Sequence, residues 1–84
     1  MRVEFLGISR ERAGLAEIEI EAETFGQVLD VLAARFPRLR DLLTERRLHP
    51  SLAASLNADA FITDPATQLG HDDRLLILSA DAGG

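Results

Sequence analysis

A single change of hydrophobic period, near residue 24, limits what this chain can fold into. Upstream, "LAEIEIEAE" alternates. Ile18 and Ile20 fall on one side and Glu17, Glu19 and Glu21 on the other, the period-two pattern of a strand with one wet face. Downstream, "TFGQVLDVLAARFP" places Phe25, Val28, Leu29, Leu32 and Phe36 at helical spacing. Thr24 is a good N-cap, Gln27 three residues on completes a capping-box pattern, and Pro37 marks the end. Gly26 in the first turn costs little there. One amphipathic helix thus stands among strands, and one sheet has to bury its apolar face.

The other segments say which sheet. "RVEFLGIS" opens the chain, with Val3 and Phe5 alternating against Glu4 and Leu6. Gly7 interrupts it, and "SRERAG" reads as a polar turn, so the first two strands are predicted to form a hairpin. "RLRDLLTERR" predicts a short helix or turn with Leu39, Leu42 and Leu43 pointing inward, and "LHPS" a loop. "LAASLN" is a third strand closed by the turn signal "NAD", "AFIT" a short edge strand, and "DPATQLGHDD" a loop. "RLLILS" is apolar on both faces, as a central strand is. The simplest packing sets this last strand parallel to the first, in the middle of a mixed sheet, with the helix across one face. The expected fold is therefore α+β: a β-grasp with a mixed sheet packed on one main helix. The domain is expected over residues 1–78, followed by a flexible tail, 79–84, that ends in Gly-Gly.

Composition removes several function classes. Eighty-four residues make one domain with one core, and 46% apolar residues is ordinary for a globular chain. No apolar run reaches bilayer length, and "MRVEFLGISRE" lacks the apolar block of a signal peptide, so a soluble cytoplasmic protein is expected, with no membrane partner. Without cysteine there are no disulfides, no thiolate chemistry and no Cys-type zinc sites. His49 and His71 do not stand at a metal-ligand spacing, and no metal is expected. A net charge of −5 repels phosphate backbones and argues against nucleic acid. No Ser/His/Asp order stands out, no glycine-rich phosphate loop is present, and Asp72-Asp73 reads as a solvated turn before a strand. Every basic residue is arginine, so no lysine of this chain can accept an acyl group.

What remains is "LLILSADAGG". With Gly at about 7% of residues, a terminal pair arises by chance in roughly one chain in 200. A mobile end explains it too. Yet an extended Gly-Gly, lacking Cβ, enters a channel too narrow for any side chain. The six residues after Leu78 reach about 20 Å at roughly 3.3 Å each. The terminal carboxylate can therefore enter a partner's active site while the domain stays docked outside. A free carboxylate is a poor electrophile, so a partner has to activate it first, usually as an acyl-adenylate made from ATP. A sulfur donor then displaces AMP and leaves a thiocarboxylate.

At this level the sequence resembles the MoaD/ThiS-type ubiquitin-like sulfur carriers, which include the small subunit of molybdopterin synthase and the thiamine sulfur carrier. "VEFLGISRE" resembles their first strand and the Arg-Glu after it, here Arg10-Glu11. "TFGQVLDVLAARFPRL" resembles their Thr-led helix with its Pro-x-Leu close. "ASLNAD" resembles their strand end, with Asn57 at the matching place. "LGHDDRLLIL" resembles Leu-x-x-Gly-Asp-x-Val before an apolar strand, and "AGG" their terminal signature. The chain departs at Asp72-Asp73, where the family usually has Gly-Asp, and at Ser79-Ala80, where it usually has Pro-Pro. Ser-Ala is expected to leave the tail looser. Asp81 puts a charge where the family is neutral.

The resemblance implies roles. Gly84 is the adenylate and thiocarboxylate carrier and Gly83 threads the tail. If Phe5, Leu75 and Ile77 face the helix, then Leu6, Leu76 and Leu78 face outward as an aliphatic docking patch; in the family the comparable face meets the activating enzyme and the synthase large subunit. Arg10 and Phe61 join these as expected partner-binding residues. The expected partners are an E1-like adenylyltransferase that uses ATP, a sulfur donor, and a synthase large subunit or other sulfur-acceptor enzyme. No cofactor is expected on the chain, which is non-catalytic by itself. The leading expectation is the small subunit of molybdopterin synthase, in molybdenum cofactor biosynthesis. Thiamine, cysteine, thioether-metabolite and siderophore pathways use similar carriers. Two other readings stay open: a protein modifier conjugated through Gly84, and a non-covalent binding module whose glycines are incidental.

Overall fold

The strands form one mixed sheet in the order β2-β1-β5-β3-β4. The chain runs β1 (Arg2–Phe5), α1 (Ile8–Ala13), β2 (Glu17–Glu19), α2 (Phe25–Arg35), two 3-10 turns (Arg40–Leu42 and Thr44–Arg46), β3 (Leu52–Leu56), β4 (Ala60–Ile62) and β5 (Arg74–Ser79). This computed structural model describes residues 1–80. β5 is central: it runs parallel to β1, with Val3 opposite Leu75 and Phe5 opposite Ile77, and antiparallel to β3. β1 pairs antiparallel with β2, and β4 forms the edge beyond β3. The expected α+β grasp is the observed one.

Alternation decides which face is covered. Val3, Phe5, Leu75, Ile77, Leu52 and Ala54 are buried together with Phe25, Val28, Leu29 and Leu32 of α2. Phe36, just past the helix, meets Phe5 edge to face with centroids 5.6 Å apart. Leu39, Leu42 and Leu43 close the same core from the 3-10 turns, as their spacing predicted. Each such side chain contributes about 1.5–3 kcal/mol by leaving water.

The start of α2 shows how a long loop is held without secondary structure of its own. A helix leaves its first N–H groups without internal partners. Here Phe25 N–H donates to Thr67 O (3.0 Å), Gly26 N–H to Pro65 O (2.9 Å) and Gln27 N–H to Thr24 Oγ1 (3.2 Å). Gln27 Oε1 in turn accepts from Glu23 N–H at 2.7 Å. Gly26 matters more than its sequence position suggests. A Cβ there would lie 3.1 Å from Pro65 Cβ and 3.2 Å from Pro65 O, so its bareness admits the loop against the helix.

The connection between β1 and β2 differs from expectation. "SRERAG" is no turn: residues Ile8–Ala13 form α1, closed by Gly14 in the left-handed conformation (φ 79°) with its N–H on Arg10 O at 2.9 Å. Six residues with a single buried side chain, Ser9, are too short and too polar to show a helical period. The two strands still pair antiparallel, but through a helix. β2 is also shorter than its alternating run: Ile18 is half-buried and Ile20 buried as expected, and the strand ends at Glu19, although Met1 and Ile20 still exchange two backbone hydrogen bonds of 2.9 Å.

Candidate functional site

The sheet face away from α2 is divided in two. At one end lie charges: Arg2 reaches Glu17 (3.1 Å), Glu4 (3.9 Å) and Glu19 (4.0 Å), and Arg74 reaches Glu4 (3.2 Å). These pairs are solvated and each adds little stability. Their effect is to keep that end polar.

The other end is apolar. Leu76 lies opposite Ser55, and Ser55 opposite Phe61, so Phe61 and Leu76 share one row across the strands. In the next row Leu78 lies opposite Ala53. Leu6 N–H donates to Ile77 O at 3.0 Å, which carries the β1–β5 register on to the level of Leu78. Leu76 and Leu78 are half-buried, Leu6 is 47% exposed and Phe61 70% exposed. The structure therefore gathers Leu6, Leu76, Leu78 and Phe61 on one face. Arg10 is exposed on α1. Gly83 and Gly84 lie outside the described residues.

The apolar end is also where the chain leaves β5. The tail was expected to begin at Ser79 and to be loose there. Instead Ser79 belongs to β5, its Oγ accepts from Ile8 N–H at 3.3 Å, and Ala80 N–H donates to Ser51 O at 2.8 Å. The sheet thus holds the chain two residues past the expected boundary at Leu78. Ser9, fully buried, donates its hydroxyl to Ile77 O at 2.7 Å. The sequence offered no signal for these contacts, because their partners lie 68 and 71 residues apart.

Asn57 and Asp73, both in the motifs that carried the resemblance, form a staple at the opposite end of β5. Asn57 Nδ2 donates to Asp73 Oδ1 (2.9 Å), Gly70 N–H donates to Asp73 Oδ2 (2.6 Å), and Arg74 N–H donates to Asn57 Oδ1 (2.8 Å). The Asn57 amide and the Gly70 N–H hold the Asp73 carboxyl below its ordinary range. This reads as structural, since it ties the β3–β4 turn to the start of β5.

Among the described residues no three His, Cys, Asp or Glu side chains come together. An open groove of ≈ 540 Å³ runs beside β4, lined by Phe25, Leu48, Phe61 and Pro65 together with the polar side chains of Arg47, His49, Thr63 and Asp64. No described helix is long and apolar enough to cross a membrane.

A scan against protein-family models finds no match, and a search of curated proteins finds none. Solved structures do match. The small archaeal modifier protein 1 (SAMP1) of Methanosarcina acetivorans aligns at TM-score 0.79 and 24% identity, over 99% of this chain and 94% of that one. SAMP1 of Haloferax volcanii aligns at 0.76 and 19%, over 100% and 98%. The BexX/CysO complex of Amycolatopsis orientalis contains a chain that aligns at 0.78 and 25%, over 99% and 98%. The fold is the ubiquitin-like β-grasp. The chain shares this fold with SAMP1 and with a chain of the BexX/CysO complex, over 94% or more of each.

Proposed function

We propose that the chain is a sulfur carrier that works through the carboxylate of Gly84. The observation that carries this reading is the coincidence, at one end of β5, of an apolar docking face with the point where the chain departs toward Ala82-Gly83-Gly84. A face for recognition and a tether for chemistry meet there.

In this reading an E1-like adenylyltransferase docks on Leu6, Phe61, Leu76 and Leu78 and receives the tail. The Gly84 carboxylate attacks the α-phosphate of ATP, pyrophosphate leaves, and an acyl-adenylate forms. Hydrosulfide released by a sulfur donor attacks the acyl carbon, AMP leaves, the thioacid loses its proton, and Gly84 carries a thiocarboxylate. Gly83 passes the narrow part of the partner's channel because it has no side chain. Arg10, on α1, is assigned to the rim of the contact. The sulfur then passes to an acceptor enzyme. The large subunit of molybdopterin synthase is the first specific assignment, and thiamine, cysteine or other sulfur-metabolite enzymes are the alternatives. The full-length likeness to CysO, solved in complex with BexX, supports a partner-dependent role.

Intact mass tests the proposal. After incubation with ATP, an E1-like adenylyltransferase from the same genome and a sulfur donor, the chain should gain the mass difference between sulfur and oxygen. A chain lacking Gly83-Gly84 should not. An unchanged mass across every such enzyme of that genome would sink the reading. A second reading, conjugation to target proteins, is favoured by the likeness to SAMP1, which is named a modifier. It predicts high-mass adducts joined through Gly84 to lysines of other proteins.

A further inference from the structure

We propose that Gly7, Ser9 and Ser79 form a latch that sets the direction in which the chain leaves β5 and so aims the Gly84 carboxylate into the partner. This rests on the carrier reading above. The latch ties the last rungs of β5 to the loop that starts α1. Ser9 is completely buried; its hydroxyl donates to Ile77 O (2.7 Å) and accepts from Leu6 N–H (3.2 Å). Ser79 Oγ accepts from Ile8 N–H (3.3 Å). On the far side of the strand, Ala80 N–H donates to Ser51 O (2.8 Å).

Gly7 makes the seat for Ser79. It sits at φ 71°, a conformation costly for other residues, and a Cβ built on it would fall 2.5 Å from Ser79 Oγ. The hydroxyl therefore occupies space that any side chain at position 7 would take. Gly7 starts the helix turn, and its empty side admits the end of β5.

The placement separates aiming from packing. The core against α2 is closed by apolar side chains and includes none of the three. A buried hydroxyl adds net stability only when bonded, and here the bonds go to the strand end from which the tether departs. Leu6 and Leu78 lie at the same level on the outer face, so the docking patch and the exit belong to one rigid corner. A chain of a few residues on a free pivot spreads its end over a wide volume. A fixed pivot raises the local concentration of the carboxylate at one place.

Ser79→Ala tests this in the full-length chain. The variant keeps the outer face, so KM for the E1-like adenylyltransferase should stay unchanged. kcat for ATP–pyrophosphate exchange should fall roughly fivefold, the worth of one ordinary hydrogen bond spent on orientation. Amide exchange at Ile8 should speed up by a similar factor while the β5 amides keep their protection. Ser9→Ala should act in the same direction. A raised KM with unchanged kcat, or an unchanged kcat in a variant whose Ile8 amide has been released, overturns the proposal. Unchanged exchange at Ile8 overturns it too, since the hydroxyl then holds nothing. Failure of the wild-type chain to be adenylated sinks the carrier reading and the aiming role with it; exchange at Ile8 still reports whether the latch exists.

Discussion

Ala58→Gly should stabilise this protein although it removes a methyl group. The turn between β3 and β4 puts two consecutive residues in the left-handed region, Asn57 at φ 54° and Ala58 at φ 55°. Asn tolerates that region, but Ala carries a Cβ too close to the following carbonyl, at about 1–2 kcal/mol per residue. Glycine removes this cost and adds about 0.4–1 kcal/mol of unfolded-chain entropy to be lost on folding. Ala58 is exposed, so the change forfeits little packing. The net expectation is about 0.5–1 kcal/mol of added stability, or about 2–8 °C in melting temperature for a domain of this size. Urea unfolding followed by far-ultraviolet circular dichroism measures it, and the midpoint should rise with an unchanged slope. Ala60→Gly, two residues on in β4, is the control and should cost about 0.5–1 kcal/mol. If Ala58→Gly leaves stability unchanged or lowers it, the attribution of strain to this turn is refuted.

Three further outcomes follow from the geometry. Gly26→Val should lose about 1–3 kcal/mol in the same unfolding assay, because the new side chain meets Pro65 backbone and ring atoms that helix bonds hold in place. Asp73 has a folded pKa below its unfolded value, so its contribution is fully present above about pH 4 and is lost as pH falls through the folded pKa; the stability gap between wild type and Asp73→Asn should be constant at neutral pH and shrink in acid. Leu6→Ser should raise KM for the adenylyltransferase at least roughly fivefold with unchanged kcat, as loss of a docking contact does, while unfolding shifts by no more than about 0.5 kcal/mol. A Leu6 variant with normal KM would remove it from the docking face.

The candidate site was legible wherever a residue's role follows from its neighbours in sequence. Leu76 and Leu78 alternate with Leu75 and Ile77, so the strand pattern groups each pair on one face, and the burial of Leu75 and Ile77 against α2 decides which pair faces outward. Phe61 was legible as part of an edge strand, but its row with Ser55 and Leu76 depends on the β3–β4 register. The staple was half visible: Asn57 and Asp73 stood out in motifs, but their bond joins residues 16 apart.

By itself the sequence determined the order of the strands around the main helix, the wet face of β2, the cap of α2 and the central place of β5. These follow from period, from local capping chemistry and from the tendency of a strand apolar on both faces to lie inside a sheet rather than at its edge. Tertiary structure alone decided three things. α1 forms where the pattern shows no apolar period, because a single buried serine and the end of β5 hold it. Gly26 is needed because Pro65 comes back to it across some 40 residues. The exit at Ser79-Ala80 is fixed, not loose, because its partners at Ile8 and Ser51 come from distant parts of the chain. Each depends on a close approach between segments remote in sequence, and no local period records such an approach.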